Sequence, residues 1–182
     1  MTDRLADWPL RERAGRLRQW PTLVEVVERA RALPGFATFI LIGSFAGGLP
    51  DTMSDVDSIV SIDDGAFDAA WAARRSLYGR TPVFAWDVRT EHDREVGAHK
   101  WLTQDIVLVE CVLATPAARA RLADPYVVLA GDAERVETFR RVPPITRDEL
   151  QAYVDQNQAE GHEQPEVQRA YDELVHAVRA RA

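Results

Sequence analysis

The fold of this chain is decided by one stretch, Leu41-Ile42-Gly43-Ser44-Phe45-Ala46-Gly47-Gly48-Leu49-Pro50-Asp51-Thr52-Met53-Ser54-Asp55-Val56-Asp57. An apolar run over residues 39–42 leads into a Gly-Ser pair, and a turn rich in glycine and proline follows. Two aspartates one residue apart then open a second run, residues 58–62. This order predicts a strand, a Gly-Ser loop with a short helical turn, and a second strand.

The two aspartates are predicted to lie on one face of the second strand. Successive side chains of a strand point to opposite faces, so Asp55 and Asp57 point the same way. Two carboxylates this close repel each other, and they need a cation between them or a proton on one of them. Mg²⁺ suits such a pair, because it prefers oxygen ligands and keeps room for water and substrate phosphates.

The Gly-Ser pair predicts a phosphate site beside these carboxylates. Gly43 lets the backbone approach a ligand closely, and Ser44 offers an amide and a hydroxyl to phosphate oxygens. A phosphate-binding loop next to metal-binding aspartates is the equipment for phosphoryl or nucleotidyl transfer.

The stretch resembles the nucleotidyltransferase superfamily that includes DNA polymerase beta. The pattern of that family is an apolar strand, Gly-Ser, a gap, and then Asp-x-Asp or Asp-x-Glu. Here Gly43-Ser44 is followed by residues 45–54 and then by Asp55-Val56-Asp57. The Gly-Gly-Leu-Pro and Ser-Asp-Val-Asp segments are most similar to those of small antibiotic and antitoxin-type nucleotidyltransferases. The chain departs at Ser58, where these proteins usually carry an aliphatic residue.

The resemblance implies a two-layer α+β fold, with a mixed, antiparallel-rich sheet and flanking helices. Pro143-Pro144 marks the predicted domain boundary. It separates a nucleotidyltransferase domain with N-terminal helices, residues 1–143, from a C-terminal helical appendage, residues 144–182. An apolar stripe in the appendage predicts a helix that packs on the domain, with a homodimer contact as the alternative.

A third carboxylate is expected, because two aspartates rarely hold two metal ions alone; in this superfamily it lies on a later strand of the same sheet. Two residues compete for that place. Glu110 lies inside the apolar run 107–112, where burial without a cation would be costly, whereas Asp87 lies on an earlier and less apolar strand. We prefer Glu110, and Asp87 stays open as the alternative.

Asp55, Asp57 and Glu110 are therefore predicted to be the catalytic and metal-binding residues, with Glu110 also accepting the proton of the acceptor hydroxyl. Gly43 and Ser44 are predicted to hold the β- and γ-phosphates of an NTP, with ATP preferred. Lys100 follows His99 just before the Glu110 strand, and both are within predicted reach of phosphate. We name Lys100 as a nucleotide contact, although such a pair is more commonly a solvated strand edge.

The rest of the chain predicts alternating helices and strands. Helices are expected over residues 9–19, after a Thr22–Glu25 capping box, over 66–77 with Asp63 or Asp64 as the cap, and over 117–122. A half-buried strand is expected over 82–90, with Phe84, Trp86 and Val88 on one face and Val83, Ala85, Asp87 and Arg89 on the other. Three further strands are expected over 98–103, 105–113 and 126–129.

Composition limits the class of protein. A net charge of −7 argues against a duplex nucleic-acid binder. The single cysteine, Cys111, excludes an internal disulfide and fits a reducing cytosol, so a cytoplasmic protein is expected. No stretch reaches the ~18 apolar residues of a membrane span.

The leading functional prediction is Mg²⁺-dependent transfer of a nucleoside monophosphate from an NTP to a hydroxyl of a small molecule, aminoglycoside-like antibiotics among them. A homodimer would help to complete the acceptor pocket. One alternative is an antitoxin-type protein adenylyltransferase that modifies a toxin partner. The other is a catalytically inactive binding module with the same fold.

Overall fold

A computed structural model of the 182-residue chain describes residues 2–3, 14–48, 50, 54–89 and 95–143. The chain divides into two units, Met1–Pro143 and Pro144–Ala182. The second unit, with the predicted C-terminal helices, lies outside the described residues. Of the helix predicted over residues 9–19, residues 9–13 also lie outside the described residues, and residues 15–19 form turns and a bend and are not helical.

The strands of the described part are β1 (Thr2–Asp3), β2 (Phe36–Leu41), β3 (Val56–Ile62), β4 (Phe84–Val88), β5 (Val96–Leu102), β6 (Leu108–Ala114), β7 (Arg121–Ala123), β8 (Val127–Gly131) and β9 (Arg140–Val142). Seven of them form one sheet in the order β1-β8-β2-β3-β6-β5-β4, while β7 and β9 pair separately. Within the seven-stranded sheet β3 and β6 run parallel, and every other neighbouring pair is antiparallel.

The helices of the described part are α1 (Trp20–Ala30), α2 (Gly43–Ala46) and α3 (Phe67–Ala73), with 3₁₀ turns at Arg74–Leu77, Pro116–Ala118 and Ala133–Thr138. A mostly antiparallel sheet with a few helices confirms the predicted α+β class. No helix in these ranges is long and apolar enough to cross a membrane.

One face of the sheet, which we call the covered face, packs against helices. Helix α1 turns a buried stripe of Leu23, Val26, Val27 and Ala30 toward it, as helical spacing dictates. The sheet meets this stripe with fully buried side chains such as Val60 and Leu113. These residues, with α3, form the larger of two apolar cores.

The opposite face, which we call the open face, is covered only in part. A smaller core around Ile40, Ile59 and Ala114 packs there under residues from the β7–β9 region. Toward β5 and β4, the open-face side chains are half-buried or exposed, apart from the buried Leu102. Asp57 and Glu110 lie on this face, because each directly precedes a residue whose side chain is buried toward the helices.

Two predicted helix caps are wrong. The Thr22–Glu25 box does not open α1, which begins at Trp20 with Pro21 in its first turn, where the fixed φ of proline is favourable. Neither Asp63 nor Asp64 caps α3, whose N-cap is Ala66 without a side-chain hydrogen bond. Asp63 instead pairs with Arg135 at 2.6 Å.

Two predictions about later elements also need correction. The strand predicted to be half-buried, β4, is exposed along its whole length because it lies at one edge of the sheet. Of the segment predicted as a helix over 117–122, only Ala117 and Ala118 are helical, at the end of the 3₁₀ turn Pro116–Ala118, and β7 begins at Arg121. The strands predicted over 98–103 and 105–113 are confirmed as β5 and β6, which pair antiparallel.

Candidate functional site

Asp57 and Glu110 lie side by side on the open face. The parallel register of β3 and β6 makes them direct cross-strand partners, and such partners share a face. Ser58, where the chain departs from the family pattern, is fully buried, and its hydroxyl donates to the Glu110 carbonyl at 3.2 Å. The serine therefore ties the two strands together at the level of the carboxylates.

Asp55 completes a group of three carboxyl groups around Asp57. It lies just before β3, and its carboxyl group shares a hydrogen bond with that of Asp57. Burial, reinforced by the negative charges of Asp55 and Glu110, raises the pKa of Asp57 to about 7, and the positive charge of Lys100 opposes this only in part. Without a bound cation, this site holds a proton near neutral pH.

The Gly-Ser loop lies directly against Asp57. Gly43 has a φ of +69°, and a Cβ at this position would stand 2.5 Å from Asp57 Oδ2. Both the backbone conformation and the lack of space thus require glycine here. The Ile42 amide donates to the Asp57 carbonyl at 3.0 Å, which fixes the loop to the start of β3.

Ser44, which follows Gly43 in the chain, has an unused hydroxyl. Its Oγ is buried and has no hydrogen-bond partner among the described residues. A buried hydroxyl without a partner costs free energy, so the site gains when a ligand oxygen supplies one. Leu49 and residues 51–53 of the loop lie outside the described residues.

Lys100 faces the same cluster from β5. It is the direct cross-strand partner of Glu110, and its Nζ forms an ion pair with Glu110 Oε2. Lys100, the predicted phosphate contact, therefore lies on the same face as Asp57 and Glu110, and in this structure its partner is a carboxylate. Within the described ranges, no three or more histidine, cysteine, aspartate or glutamate side chains are arranged to hold a metal ion as they stand.

Asp87, the alternative third carboxylate, lies on the other face. Arg74 donates to its two oxygens at 2.8 and 2.7 Å, and His99 Nδ1 lies 2.7 Å from Oδ1. These partners, Arg74 first, lower the pKa of Asp87 to about 2 against the opposing effect of burial. His99 is buried on that face beside the more exposed Asp87, so the structure brings neither residue to Asp57.

One open-face residue was not singled out from the sequence. Trp86 is the direct cross-strand partner of Lys100, so Asp57, Glu110, Lys100 and Trp86 form one row across four adjacent strands. The signal was present in the alternation of residues 83–89, which placed Trp86 on the face opposite Asp87. A tryptophan on such a pattern is ordinarily assigned to the core.

Comparison with known proteins adds no family to these observations. Neither a family model nor a curated protein matches the chain. The function is therefore inferred from the three carboxyl groups, the Gly-Ser loop and the row of side chains beside them.

Proposed function

We propose that this protein is an Mg²⁺-dependent nucleotidyltransferase that moves a nucleoside monophosphate from an NTP to a hydroxyl of a small-molecule acceptor. One observation carries the proposal. Asp57 shares a hydrogen bond with Asp55 and lies beside Glu110, its cross-strand partner. The backbone of Gly43 packs closely against the carboxyl group of Asp57. Carboxylates held together beside a phosphate-binding loop are what this chemistry requires.

The donor set fits Mg²⁺. All three side chains offer oxygen ligands, and the raised pKa of Asp57 reports a site that is short of positive charge. Asp55 and Asp57 would hold the ion, and Glu110 would join them when it exchanges its Lys100 partner for the cation. Bound Mg²⁺ would neutralise charge on the triphosphate and polarise the phosphoryl group that is transferred.

The remaining roles belong to the chain. Ser44 and the neighbouring backbone hold the β- and γ-phosphates, where the buried Oγ lacks a partner. The acceptor oxygen forms a bond to the α-phosphorus, and the bond from that phosphorus to the pyrophosphate oxygen breaks. Glu110 takes the hydroxyl proton, and Lys100, released from its ion pair, neutralises charge on the phosphates.

A nucleotide-binding module without catalysis is the second candidate. The ion pair between Lys100 and Glu110 favours it, since an ammonium group already neutralises the third carboxylate. The two candidates differ in turnover: both bind Mg·NTP, and only the enzyme releases pyrophosphate when a hydroxyl acceptor is present.

Calorimetric titration with non-hydrolysable analogues of the four NTPs, with and without Mg²⁺, tests the proposal. The wild type is expected to bind at least one of them only when Mg²⁺ is present. Asp57→Asn is expected to weaken this binding by about 10-fold or more, which is about 1.4 kcal/mol. Asp68→Asn, which removes the same charge from a 95% exposed side chain, is the matched control.

Two results would contradict the proposal. One is failure of folded wild-type protein to bind any of the four analogues. The other is equal, Mg²⁺-independent binding by wild type and Asp57→Asn, since the carboxylates would then hold no cation. Pyrophosphate release in an acceptor screen afterwards separates the enzyme from the module.

A further inference from the structure

A polar residue lies at the start of the apolar stripe of α1. Gln19 directly precedes the helix and is fully buried. Its position continues the helical spacing of the stripe, whose members are Leu23, Val26, Val27 and Ala30. A buried amide costs free energy unless it is hydrogen-bonded, and the Gln19 side chain forms no capping hydrogen bond with α1. The reason for a glutamine at this place therefore lies outside the helix.

The amide of Gln19 reaches the segment that leads into the carboxylate site. Its Nε2 donates a hydrogen bond to the backbone carbonyl of Ser54 at 2.7 Å, across 35 residues of sequence. Asp55 follows Ser54 directly, so this carbonyl belongs to the peptide group that joins the two residues. Because a peptide group is planar and rigid, a hydrogen bond to its oxygen also restrains the nitrogen and the Cα of Asp55.

Strand β3 restrains the chain on the other side of Asp55. The pairing of β3 with β6 begins at Val56 and its pairing with β2 at Ser58, so Asp55 lies outside both ladders. The backbone turns at Asp55 only about two soft dihedral angles. These angles connect the peptide group held by Gln19 to the first peptide groups of the strand. Holding both sides therefore fixes the direction in which the Asp55 side chain leaves the backbone.

Gln19 is itself attached to a rigid element. The Leu23 amide donates to the Gln19 carbonyl at 2.9 Å, which joins the residue to the first turn of α1. The stripe of α1 is buried in the larger apolar core. A side chain that is locked by packing and by hydrogen bonds can hold a neighbouring site to within about 0.5 Å. Gln19 thus connects the core to the backbone of Asp55.

We propose that Gln19 is a positioning residue of the carboxylate site: by holding the Ser54 carbonyl, it directs the carboxyl group of Asp55 toward Asp57, so that the two bind the metal ion together. This inference rests on the proposed nucleotidyltransferase function. Gln19 acts through the backbone of Asp55 and supplies no ligand of its own. Groups that orient metal ligands typically contribute 10–100-fold to metal affinity, so loss of the Gln19 amide should weaken Mg²⁺ binding about 10-fold.

The competing role of Gln19 is purely structural, with a hydrogen bond that stabilises the fold and nothing more. Thr38 on β2 provides a matched control, because it is fully buried and its hydroxyl donates to the backbone carbonyl of Asp132. It lies opposite Ser61, four residues beyond Asp57 on β3. Gln19→Met and Thr38→Val each remove one buried hydrogen bond from a side chain to a backbone carbonyl and nearly keep the side-chain size. Both are expected to lower the free energy of unfolding.

Calorimetric titration with a non-hydrolysable NTP analogue at a series of Mg²⁺ concentrations tests the proposal. We expect Gln19→Met to raise the Mg²⁺ concentration for half-maximal affinity about 10-fold, and Thr38→Val to leave it unchanged. Hydrogen exchange of the Mg²⁺-free protein, followed by mass spectrometry, should show faster exchange over residues 54–57 in Gln19→Met and not in Thr38→Val. Gln19→Asn, whose amide is one methylene too short to reach Ser54, gives the same test should Gln19→Met not fold.

The possible results separate this inference from the proposed function. If the wild type binds an analogue and Gln19→Met needs no more Mg²⁺ than the wild type, Gln19 is structural and the inference is overturned, while the nucleotidyltransferase stands. An equal increase in Thr38→Val would overturn it as well, because loss of stability alone would then explain the change. Failure of the wild type to bind any of the four analogues would reject the proposed function and the inference together.

Discussion

The two faces of the sheet use adjacent residues of the same strands for opposite purposes. On β6, Cys111 is fully buried against the helices, and burial raises the pKa of its thiol to about 12, whereas Glu110 beside it is half-buried and ion-paired. On β5, His99 is buried on the covered face and Lys100 faces the open one. The alternation of a strand thus separates residues buried in the core from half-buried charged residues that a ligand can reach.

The largest difference between the two faces is expected when one carboxylate on each face is neutralised. Glu110→Gln is expected to lower the proposed nucleotidyl transfer by about 10³-fold, because it would remove the proposed base and a proposed metal ligand together. Asp87→Asn should leave the rate near that of the wild type and lower the free energy of unfolding by about 1–2 kcal/mol, since Arg74 loses a bidentate partner. Pyrophosphate release and urea denaturation measure the two effects.

A loss of activity in Asp87→Asn as large as that in Glu110→Gln would reverse the assignment of the third carboxylate. Both substitutions keep the side-chain volume nearly unchanged. A difference between them therefore reports charge and not packing.

Two tryptophans, one on each face, allow the stability contributed by the two faces to be compared. Trp101 is 1% exposed on the covered face, and Trp101→Ala is expected to cost about 3–5 kcal/mol. Trp86→Ala, on the open face, should cost less than about 1 kcal/mol, as for other exposed positions. Chemical denaturation followed by far-UV circular dichroism, which does not depend on tryptophan, measures both; equal costs would show that Trp86 belongs to a core.

The pH dependence contributed by Asp57 is expected to be smaller than the loss of stability in Trp101→Ala. Its pKa in the folded state is about 7 against an ordinary value of 3.8, so the folded protein holds the extra proton between these values. Stability from this group is full below pH 4 and is lost as the pH rises through 7. In Mg²⁺-free buffer, Asp57→Asn should therefore raise the free energy of unfolding by about 2 kcal/mol at pH 8, after discounting for solvent screening, and by almost nothing at pH 4.

Denaturation at the two pH values, with and without Mg²⁺, checks this expectation. Added Mg²⁺ should reduce the advantage of the variant at pH 8, because a cation satisfies the same carboxylates. An advantage for Asp57→Asn that is equal at both pH values would show that Asp57 does not titrate between them.

Local patterns predicted the strand–loop–strand core of the site because its signals are local. Apolar runs, a glycine with positive φ and alternating aspartates each act within a few residues. A capping box is also local, but Thr22 does not set the start of α1. The helix begins at Trp20, and the fixed φ of Pro21 favours its first turn. Two local signals competed there, and the sequence pattern alone does not rank them.

The arrangement of strands was less accessible to sequence reasoning. The alternation of residues 83–89 predicted the two faces of β4 but not its place at the sheet edge, which depends on which strands pair. The preference for Glu110 over Asp87 came from burial cost and family resemblance. Their separation onto opposite faces follows from the register of β3, β6, β5 and β4, which no local pattern contains.

The single parallel pair, β3 with β6, also has a consequence for how the molecule folds. A parallel pair needs a crossover, and here the crossover runs through α3, β4 and β5 before the chain returns beside β3. Contacts of such high sequence separation form slowly, since the entropy of closing a long loop must be overcome first. The carboxylate cluster is therefore expected to assemble late in folding, when the antiparallel β4–β5–β6 meander already exists, and Mg²⁺ should slow unfolding far more than it speeds folding.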